Sequence, residues 1–146
     1  MRTWAVMLST GLALAAGAAS AAPQPDPGRI AAMAQRFEPF DKSGQQGWEA
    51  LSTQPVVRTA PEGGNDAVQF DLKPGSYMIV ALCNCDQMDV TLVRPDASEP
   101  RPARSSDQAA MYSIDVTAPG TYLTGVDMGA CSEKSCDFGV KVWRKK

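Results

Sequence analysis

The sequence predicts a mainly β protein, an antiparallel β-sandwich of jelly-roll type with one short N-terminal α-helix. Three features lead to this fold class: short segments of alternating apolar and polar residues, Pro- and Gly-rich turn signals between them, and one segment with helical spacing. A length of 146 residues suits one compact domain. We expect this single β-sandwich domain at residues 29–146, with the helix at about 27–38 leading into it.

Residues 1–21 have the features of a cleavable secretory signal. Arg2 supplies the positive charge, an apolar stretch of about 15 residues follows, and Ala19-Ser20-Ala21 fits the small-x-small cleavage rule. This stretch is shorter than the ~20 residues of a membrane-spanning helix, so we expect no membrane span after cleavage. The sequence therefore predicts an exported protein, periplasmic or extracellular, that begins with a Pro-rich leader at residues 22–28.

The helix is predicted from its cap and its apolar stripe. Asp26 suits the N-cap position, with Pro27 as the first helical residue. The apolar residues that recur with helical spacing are Ile30, Met33, Ala34 and Phe37. We expect Pro39 to end the helix, because the residue before a proline disfavours helical backbone angles.

The rest of the chain is predicted to form short strands. The predicted strands are Pro55–Thr59, Val68–Leu72, Tyr77–Leu82, Val90–Val93, Tyr112–Val116, Tyr122–Met128 and Phe138–Trp143. Tyr77–Leu82 is apolar at nearly every position, which favours the centre of a sheet. Arg94–Ser106 is predicted as a Pro-rich loop, and the last two strands as a hairpin around the second cysteine pair.

Two segments of the chain are weakly similar to each other. Phe70–Tyr77 and Ile114–Tyr122 each contain an alternating strand, a Pro-Gly turn and a strand that opens with Tyr. Turns of this kind are typical between neighbouring strands. The similarity predicts two hairpins in corresponding places of a two-sheet sandwich.

The four cysteines, Cys83, Cys85, Cys131 and Cys136, are expected to form two structural disulfides, because an exported protein meets an oxidising compartment. Their C-x-C and C-x4-C spacings fit zinc binding poorly and lack a redox C-x-x-C. A Cys83–Cys85 bridge would close a very small ring, and same-face strand residues lie ~6.6 Å apart, near the upper limit for bridging. We therefore favour two bridges between the two segments, with the partners open and a local Cys131–Cys136 bridge as the main alternative.

Composition excludes several kinds of function. The chain contains no histidine, which removes Ser-His-Asp, Cys-His and His-zinc sites. The formal net charge is −2, and no clustered basic face indicates nucleic-acid binding. We expect no enzyme, and we assign no catalytic and no cofactor-binding residue.

Several ordered landmarks resemble a known family. They are the Phe70-x-Leu72-x-x-Gly75-x-Tyr77-x-Ile79-Val80-Ala81-x-Cys83 run, the Asp89-Val90-x-Leu92 strand, and Pro119-Gly120-x-Tyr122 through Val126-x-Met128-x-x-Cys131 to Cys136-x-x-Gly139-Val140. This pattern, with a preceding short helix and Gly47-Trp48, resembles exported bacterial proteins similar to the pre-peptidase C-terminal domain. The resemblance covers most of the mature chain. It implies an accessory or binding β-sandwich with no catalytic residues.

Two sets of residues are weak site candidates. Asp86, Asp89 and Asp107 offer oxygen ligands for calcium, although their spacing fits no EF-hand and solvated loops commonly carry such residues. Trp48 and Trp143 lie near the ends of predicted elements and are candidates for stacking against a ligand, although strand aromatics are more often core residues. Beyond weak calcium binding, no metal or cofactor is expected.

The leading interpretation is a non-enzymatic, exported accessory or binding domain whose partner, a protein or a glycan, is not identified. One alternative is a structural envelope protein without a specific ligand. The other is a hydrolase that uses carboxylates alone, for which no residue pair stands out. We expect a monomer.

Overall fold

The structure, a computed structural model, describes residues 25–44, 46–96, 101–102, 104–106 and 108–146. The predicted signal, residues 22–24 of the predicted leader and Asp107 lie outside these ranges. The described elements are α1 (Pro27–Gly44), β1 (Trp48–Ala50), β2 (Val56–Pro61), β3 (Asn65–Leu72), β4 (Gly75–Cys83), β5 (Gln87–Val93), β6 (Arg101–Pro102), β7 (Arg104–Ser106), β8 (Ala109–Val116), β9 (Gly120–Ala130) and β10 (Ser135–Lys145).

Two antiparallel sheets form a sandwich, as predicted. One sheet has the order β1-β10-β4-β8-β7, with β2 also paired to β10, and the other has the order β3-β9-β5-β6. Helix α1 packs on the outer face of the first sheet, which we call the covered sheet. The outward residues of the second sheet, which we call the open sheet, are exposed or half-buried.

The position of β4 explains its nearly continuous apolar sequence. It lies at the centre of the covered sheet, between β10 and β8, as predicted. Alternate side chains point into the sandwich core, as Ile79 does, or towards α1, as Val80 does. Because both faces of this strand are buried, both sets of side chains are apolar.

Helix α1 begins as predicted and ends later than predicted. The Asp26 carboxylate accepts a 3.0 Å hydrogen bond from the Arg29 backbone N–H, which is N-cap geometry. The prediction that Pro39 ends the helix is wrong, because α1 continues through Pro39 to Gly44. The additional turn is held by tertiary contacts: Phe40 packs against Trp143, and Asp41 is paired with Lys141.

The two similar segments are not hairpins, which corrects that prediction. The turn between β3 and β4 carries the chain from the open sheet to the covered sheet, and the turn between β8 and β9 carries it back. The two similar segments also pair with each other symmetrically. Phe70 lies opposite Tyr122, and Tyr77 lies opposite Ile114, so equivalent positions exchange partners.

Two further predictions about connections are wrong. Strands β9 and β10 are not a hairpin, since β9 belongs to the open sheet and β10 to the covered sheet. The alternation of apolar and polar residues shows which residues face the core. Two strands that face the same core from opposite sheets have the same alternation, so it does not show which sheet a strand joins. The predicted loop Arg94–Ser106 contains two short strands, β6 and β7, which pair with β5 and β8.

Each disulfide joins two cysteines of the same segment. The favoured pairing between the two segments is therefore wrong, and the main alternative, a Cys131–Cys136 bridge, is present. Cys83 is bridged to Cys85 with a Cα–Cα distance of 5.2 Å, and Cys131 to Cys136 at 5.8 Å. The chain bends just after β4, so the first pair is closer than it would be on an extended strand. The two segments are neighbours as expected, because the Asp86 N–H donates to the Ala130 carbonyl at 2.9 Å.

In the described part of the chain, no helix has the length and apolar character that crossing a bilayer requires.

Candidate functional site

A concavity lies between α1 and the segment that connects β1 to β2. Its volume is about 500 Å³, within the range of ligand-binding clefts. Thr53 and Gln54 form one wall, and Lys141 of β10 lies in the floor. The helix contributes the other wall, through Pro27, Ile30, Ala31, Ala34, Gln35, Glu38 and Asp41. We call this concavity the α1 groove.

Helix α1 has one stripe of residues that packs against the covered sheet and a second stripe that lines the groove. Met33 and Phe37 are buried against the covered sheet, as the helical spacing predicts. The residues that line the α1 groove follow a second stripe along the same helix, with spacings of three and four. Its first half is apolar and its second half, from Gln35 onward, is polar. Ile30 contributes to both stripes.

Helix α1 lies close against the sheet at Gly139. A Cβ atom at this position would lie 2.8 Å from Met33 Cγ and 2.9 Å from Phe37 Cε2. Only a residue without a side chain leaves room for the helix here. Gly139 thus sets the depth of the helix on β10, next to the floor residue Lys141.

Lys141 is a buried charge whose donors have partners. The residue is 3 % exposed, and its Nζ lies 2.8 Å from both carboxylate oxygens of Asp41 and 3.2 Å from the Thr53 carbonyl. The ammonium also lies 5.4 Å from the centroid of the Trp143 ring. These contacts connect the helix wall, the floor and the opposite wall of the groove through one side chain.

A second buried charge anchors the beginning of α1. Asp137 is 3 % exposed and accepts hydrogen bonds from Arg29 Nε at 2.6 Å and from Thr59 Oγ1 at 2.7 Å. Between the two ion pairs, Arg36 donates to the Cys83 carbonyl and to Gln108. A basic residue near the start of the helix meets an acid of β10, and an acid near its end meets a base of β10. A reversed helix would place like charges together, so these pairs specify its direction.

The chemistry of the α1 groove is suited to binding. The two oxygens of Asp41 are occupied by Lys141, so this carboxylate is held as an ion-pair partner. Glu38 lies at the exposed rim, 3.8 Å from Lys42. The described lining offers an apolar patch, two amides, one hydroxyl and one rim carboxylate. Such a surface can hold an apolar group and hydrogen-bond to a polar one.

The structure places the two predicted stacking residues in the same cluster under α1. Trp143 is 1 % exposed and packs against Phe37, with ring centroids 6.3 Å apart. The prediction that its ring is available for stacking against a ligand is therefore wrong. The ring is buried because α1 covers the face of β10 from which it projects. Trp48 is half-buried against the same cluster, and stacking by this residue stays a prediction.

Two of the three predicted calcium ligands, Asp86 and Asp89, lie among the described residues. Asp86 is exposed and accepts a hydrogen bond from Ser132 Oγ at 3.0 Å. Asp89 points outward from β5, directly opposite Asp127 of β9. Within the described ranges, no three His, Cys, Asp or Glu residues are grouped to hold a metal ion. Asp107 lies outside those ranges, so calcium binding stays a prediction.

The sequence placed Ile30 and Ala34 on the apolar stripe of the helix, but it did not predict a groove there. One signal was available, because Asp137 and Lys141 are the charged positions in the otherwise apolar run Cys136–Trp143 of β10. A charge in a strand that is buried on both faces needs a partner. The contributions of Thr53 and Gln54 had no comparable signal, since they lie in an irregular segment.

No protein-family model and no curated protein sequence matches this chain. Solved structures do resemble it. PliG of Aeromonas hydrophila, a periplasmic lysozyme inhibitor of g-type lysozyme, is 14% identical, with a TM-score of 0.46 over 66% of this chain and 84% of that chain. The pre-peptidase C-terminal domain of collagenase from Bacillus anthracis is 13% identical, with a TM-score of 0.45 over 59% of this chain and 88% of that chain.

The lipase BlEst2 of Bacillus licheniformis, in its propeptide form, is 16% identical with a TM-score of 0.45, and the match covers 62% of this chain and 21% of the lipase. This chain therefore corresponds to about a fifth of that protein. Identities and TM-scores at this level carry no argument about activity. The resemblance to the pre-peptidase C-terminal domain accordingly extends to a β-sandwich, and no family membership is shown.

Proposed function

We propose that this protein is a non-enzymatic, exported binding domain and that the α1 groove holds its ligand. The observation that carries the proposal is an open groove of about 500 Å³. Lys141 is the charged residue in its floor, and Asp41 of the helix wall neutralises that charge. Because Lys141 is already paired, it holds the surrounding surfaces in place and does not need a substrate as its ion-pair partner. Two disulfides support the exported part of the proposal.

Hydrolysis by carboxylates alone is less well supported by the same geometry. The two acids that line the described groove are Glu38 and Asp41. Asp41 has both oxygens 2.8 Å from Lys141 Nζ, which leaves Glu38 without a second free carboxylate in the lining. Glycoside hydrolysis needs two carboxylates that face each other across the bond to be broken.

A pair of matched variants tests the proposal. Ala31 and Ala32 are adjacent, exposed residues of α1, and Ala31 lines the groove whereas Ala32 does not. We expect Ala31→Trp to fill the groove and Ala32→Trp to leave it open. The exported chain and both variants are screened against an array of immobilised polysaccharides and a display library of random peptides, and thermal unfolding confirms that all three fold.

The proposal predicts a ligand that binds the wild type and Ala32→Trp and is lost from Ala31→Trp. Binding that Ala31→Trp leaves unchanged would show that the α1 groove is not the site. Absence of binding to both panels would contradict the proposal as well.

A further inference from the structure

We infer that the α1 groove binds an extended polypeptide segment of a partner protein, in which apolar side chains are followed by a lysine or arginine. The inference rests on the proposed function, because it names the ligand class for the same groove. It is derived from the length of the groove and from the order of its apolar, amide and acidic positions.

The length of the groove suits an extended chain. The helical lining runs from Pro27 to Asp41, a span of 15 residues that rises about 21 Å along an α-helix. A β-like chain advances about 3.3 Å per residue, so the groove accommodates about six residues of extended polypeptide. A compact ligand would occupy only part of this length.

The first half of the helical wall is suited to apolar side chains. Ile30 presents a branched side chain, and Ala31 and Ala34 present single methyl groups next to it. Small side chains leave depressions between the turns of a helix, and side chains of a bound chain can fill them. Burying apolar surface there contributes about 25 cal/mol for each Å² removed from water.

Amide side chains stand on both walls. Gln35 belongs to the helix, and Gln54 belongs to the opposite wall. Each amide offers a carbonyl oxygen as acceptor and an NH₂ group as donor. An extended polypeptide presents N–H and C=O groups in alternation along both of its edges, so two facing amides can bond a backbone between them.

The second half of the groove attracts positive charge. Glu38 is at the rim, with its side chain 60% exposed and only a 3.8 Å contact to Lys42. Asp41 and Lys141 neutralise each other, and Lys42, the partner of Glu38, lies outside the described lining, so the lining itself keeps a net negative charge. The C-terminal end of a helix adds a partial negative charge in the same direction. A lysine or arginine of the ligand therefore belongs at this end.

The aromatic residues of the region argue against a glycan ligand. Of the described residues that line the groove, none is aromatic. The nearby rings of Phe37 and Trp143 are buried beneath the helix. A sugar that stacks on an aromatic face finds no such face here, whereas a peptide does not need one.

The experiment selects octapeptides from a random display library on the immobilised exported chain. Selected peptides are then synthesised and their dissociation constants measured for the wild type and three variants. Ala31→Trp blocks the apolar half, and Glu38→Lys reverses the charge of the rim. Asp127→Lys makes the same reversal on the open sheet, on the opposite side of the sandwich.

We expect selected peptides to share adjacent apolar residues followed by a lysine or arginine. Ala31→Trp should weaken binding by about tenfold or more, and Glu38→Lys by a few-fold, with the second effect reduced at high salt. Asp127→Lys should leave the dissociation constant unchanged. Nuclear magnetic resonance shifts on α1 and at Gln54 should follow peptide binding.

Three results would overturn the inference, and the first two of them would leave the proposed function standing. Failure to select any peptide, together with a polysaccharide ligand that Ala31→Trp abolishes, would exclude polypeptide and keep the groove as a binding site. Selected peptides without a basic residue, or insensitive to Glu38→Lys, would remove the charge assignment. Peptides insensitive to Ala31→Trp would contradict both the inference and the proposed function.

Discussion

The two sheets of this sandwich differ in what covers their outer faces. The covered sheet has the core on one side and α1 on the other, whereas the open sheet has the core on one side and solvent on the other. Charged residues consequently have different roles on the two sheets. Lys141 and Asp137 of the covered sheet are buried and paired, while Asp127 and Asp89 of the open sheet are exposed.

This difference shows where precise packing is concentrated in the molecule. The covered face holds a helix at one depth through Gly139 and in one direction through two ion pairs. The α1 groove exists because that helix is held on β10 next to the segment that connects β1 to β2. The outer face of the open sheet makes no such demands, so substitutions there should be tolerated.

The largest effect is expected from removing the ring that α1 inserts against the covered sheet. Phe37 is 0% exposed and contacts the rings of Phe40 and Trp143, so Phe37→Ala should lower the free energy of unfolding by about 3–5 kcal/mol. Met111 shares this sheet face but is 46% exposed, so Met111→Ala should change it by about 0.5 kcal/mol or less. Urea unfolding measures both, and equal losses would contradict the buried position of α1.

The next effect is expected from leaving a charge unpaired under the helix. Asp41→Ala removes the carboxylate that neutralises Lys141, and we expect a loss of about 3 kcal/mol in the free energy of unfolding. The double variant Asp41→Leu with Lys141→Met should recover most of this loss, because apolar residues of similar size replace the pair.

Breaking an exposed pair serves as the control for that prediction. Glu38→Ala removes the 3.8 Å contact with Lys42, which is worth about 0.3–0.5 kcal/mol. If Asp41→Ala were as mild as Glu38→Ala in chemical unfolding, Lys141 would not be a buried charge that depends on its partner.

The same Gly→Ala substitution, made once on the covered sheet and once on the open sheet, compares the outer faces of the two sheets directly. Gly139→Ala forces a methyl group against Met33 and Phe37 and should cost about 1–3 kcal/mol. The nearest atom to a methyl at Gly125 of the open sheet is the Thr91 carbonyl oxygen at 3.6 Å, an ordinary contact. Gly125→Ala should therefore stay within about 0.5 kcal/mol of wild type. Thermal unfolding of the two variants side by side would reveal a reversed order.

The smallest effect should have the opposite sign. Asp127 and Asp89 lie directly opposite on the open face, and like charges in this arrangement destabilise a sheet. Asp127→Asn should raise the free energy of unfolding by a few tenths of a kcal/mol, on the order expected for a cross-strand pair. The gain should disappear at high salt, because exposed charges are screened. A loss of stability would mean that Asp127 has a favourable partner.

The alternation of apolar residues predicted the fold class because it reports burial directly. The central position of β4 followed from a continuous apolar run, and the buried face of α1 followed from helical spacing. Alternation does not report which sheet a strand joins. For that reason the two Pro-Gly segments were wrongly predicted as hairpins, and so was the β9–β10 connection.

The errors at Pro39, Trp143 and the cysteines have a common origin. Each prediction used a local rule about proline, chain ends or ring closure. In the structure, contacts with distant residues determine the first two results: Phe40 and Asp41 hold the last turn of α1, and α1 covers Trp143. The chain bends after Cys83, which brings Cys85 within bridging distance.

The sequence by itself determined the β-sandwich, the start of the helix and the residues that face the core, because hydrophobic periodicity and capping are local properties of the chain. The tertiary structure decided which strands pair, where α1 ends and which cysteines are bridged. It also decided the α1 groove, whose walls come from segments far apart in sequence. Burial of one helix over one strand is the physical reason, since the same contact that hides Trp143 and Lys141 creates the groove beside them.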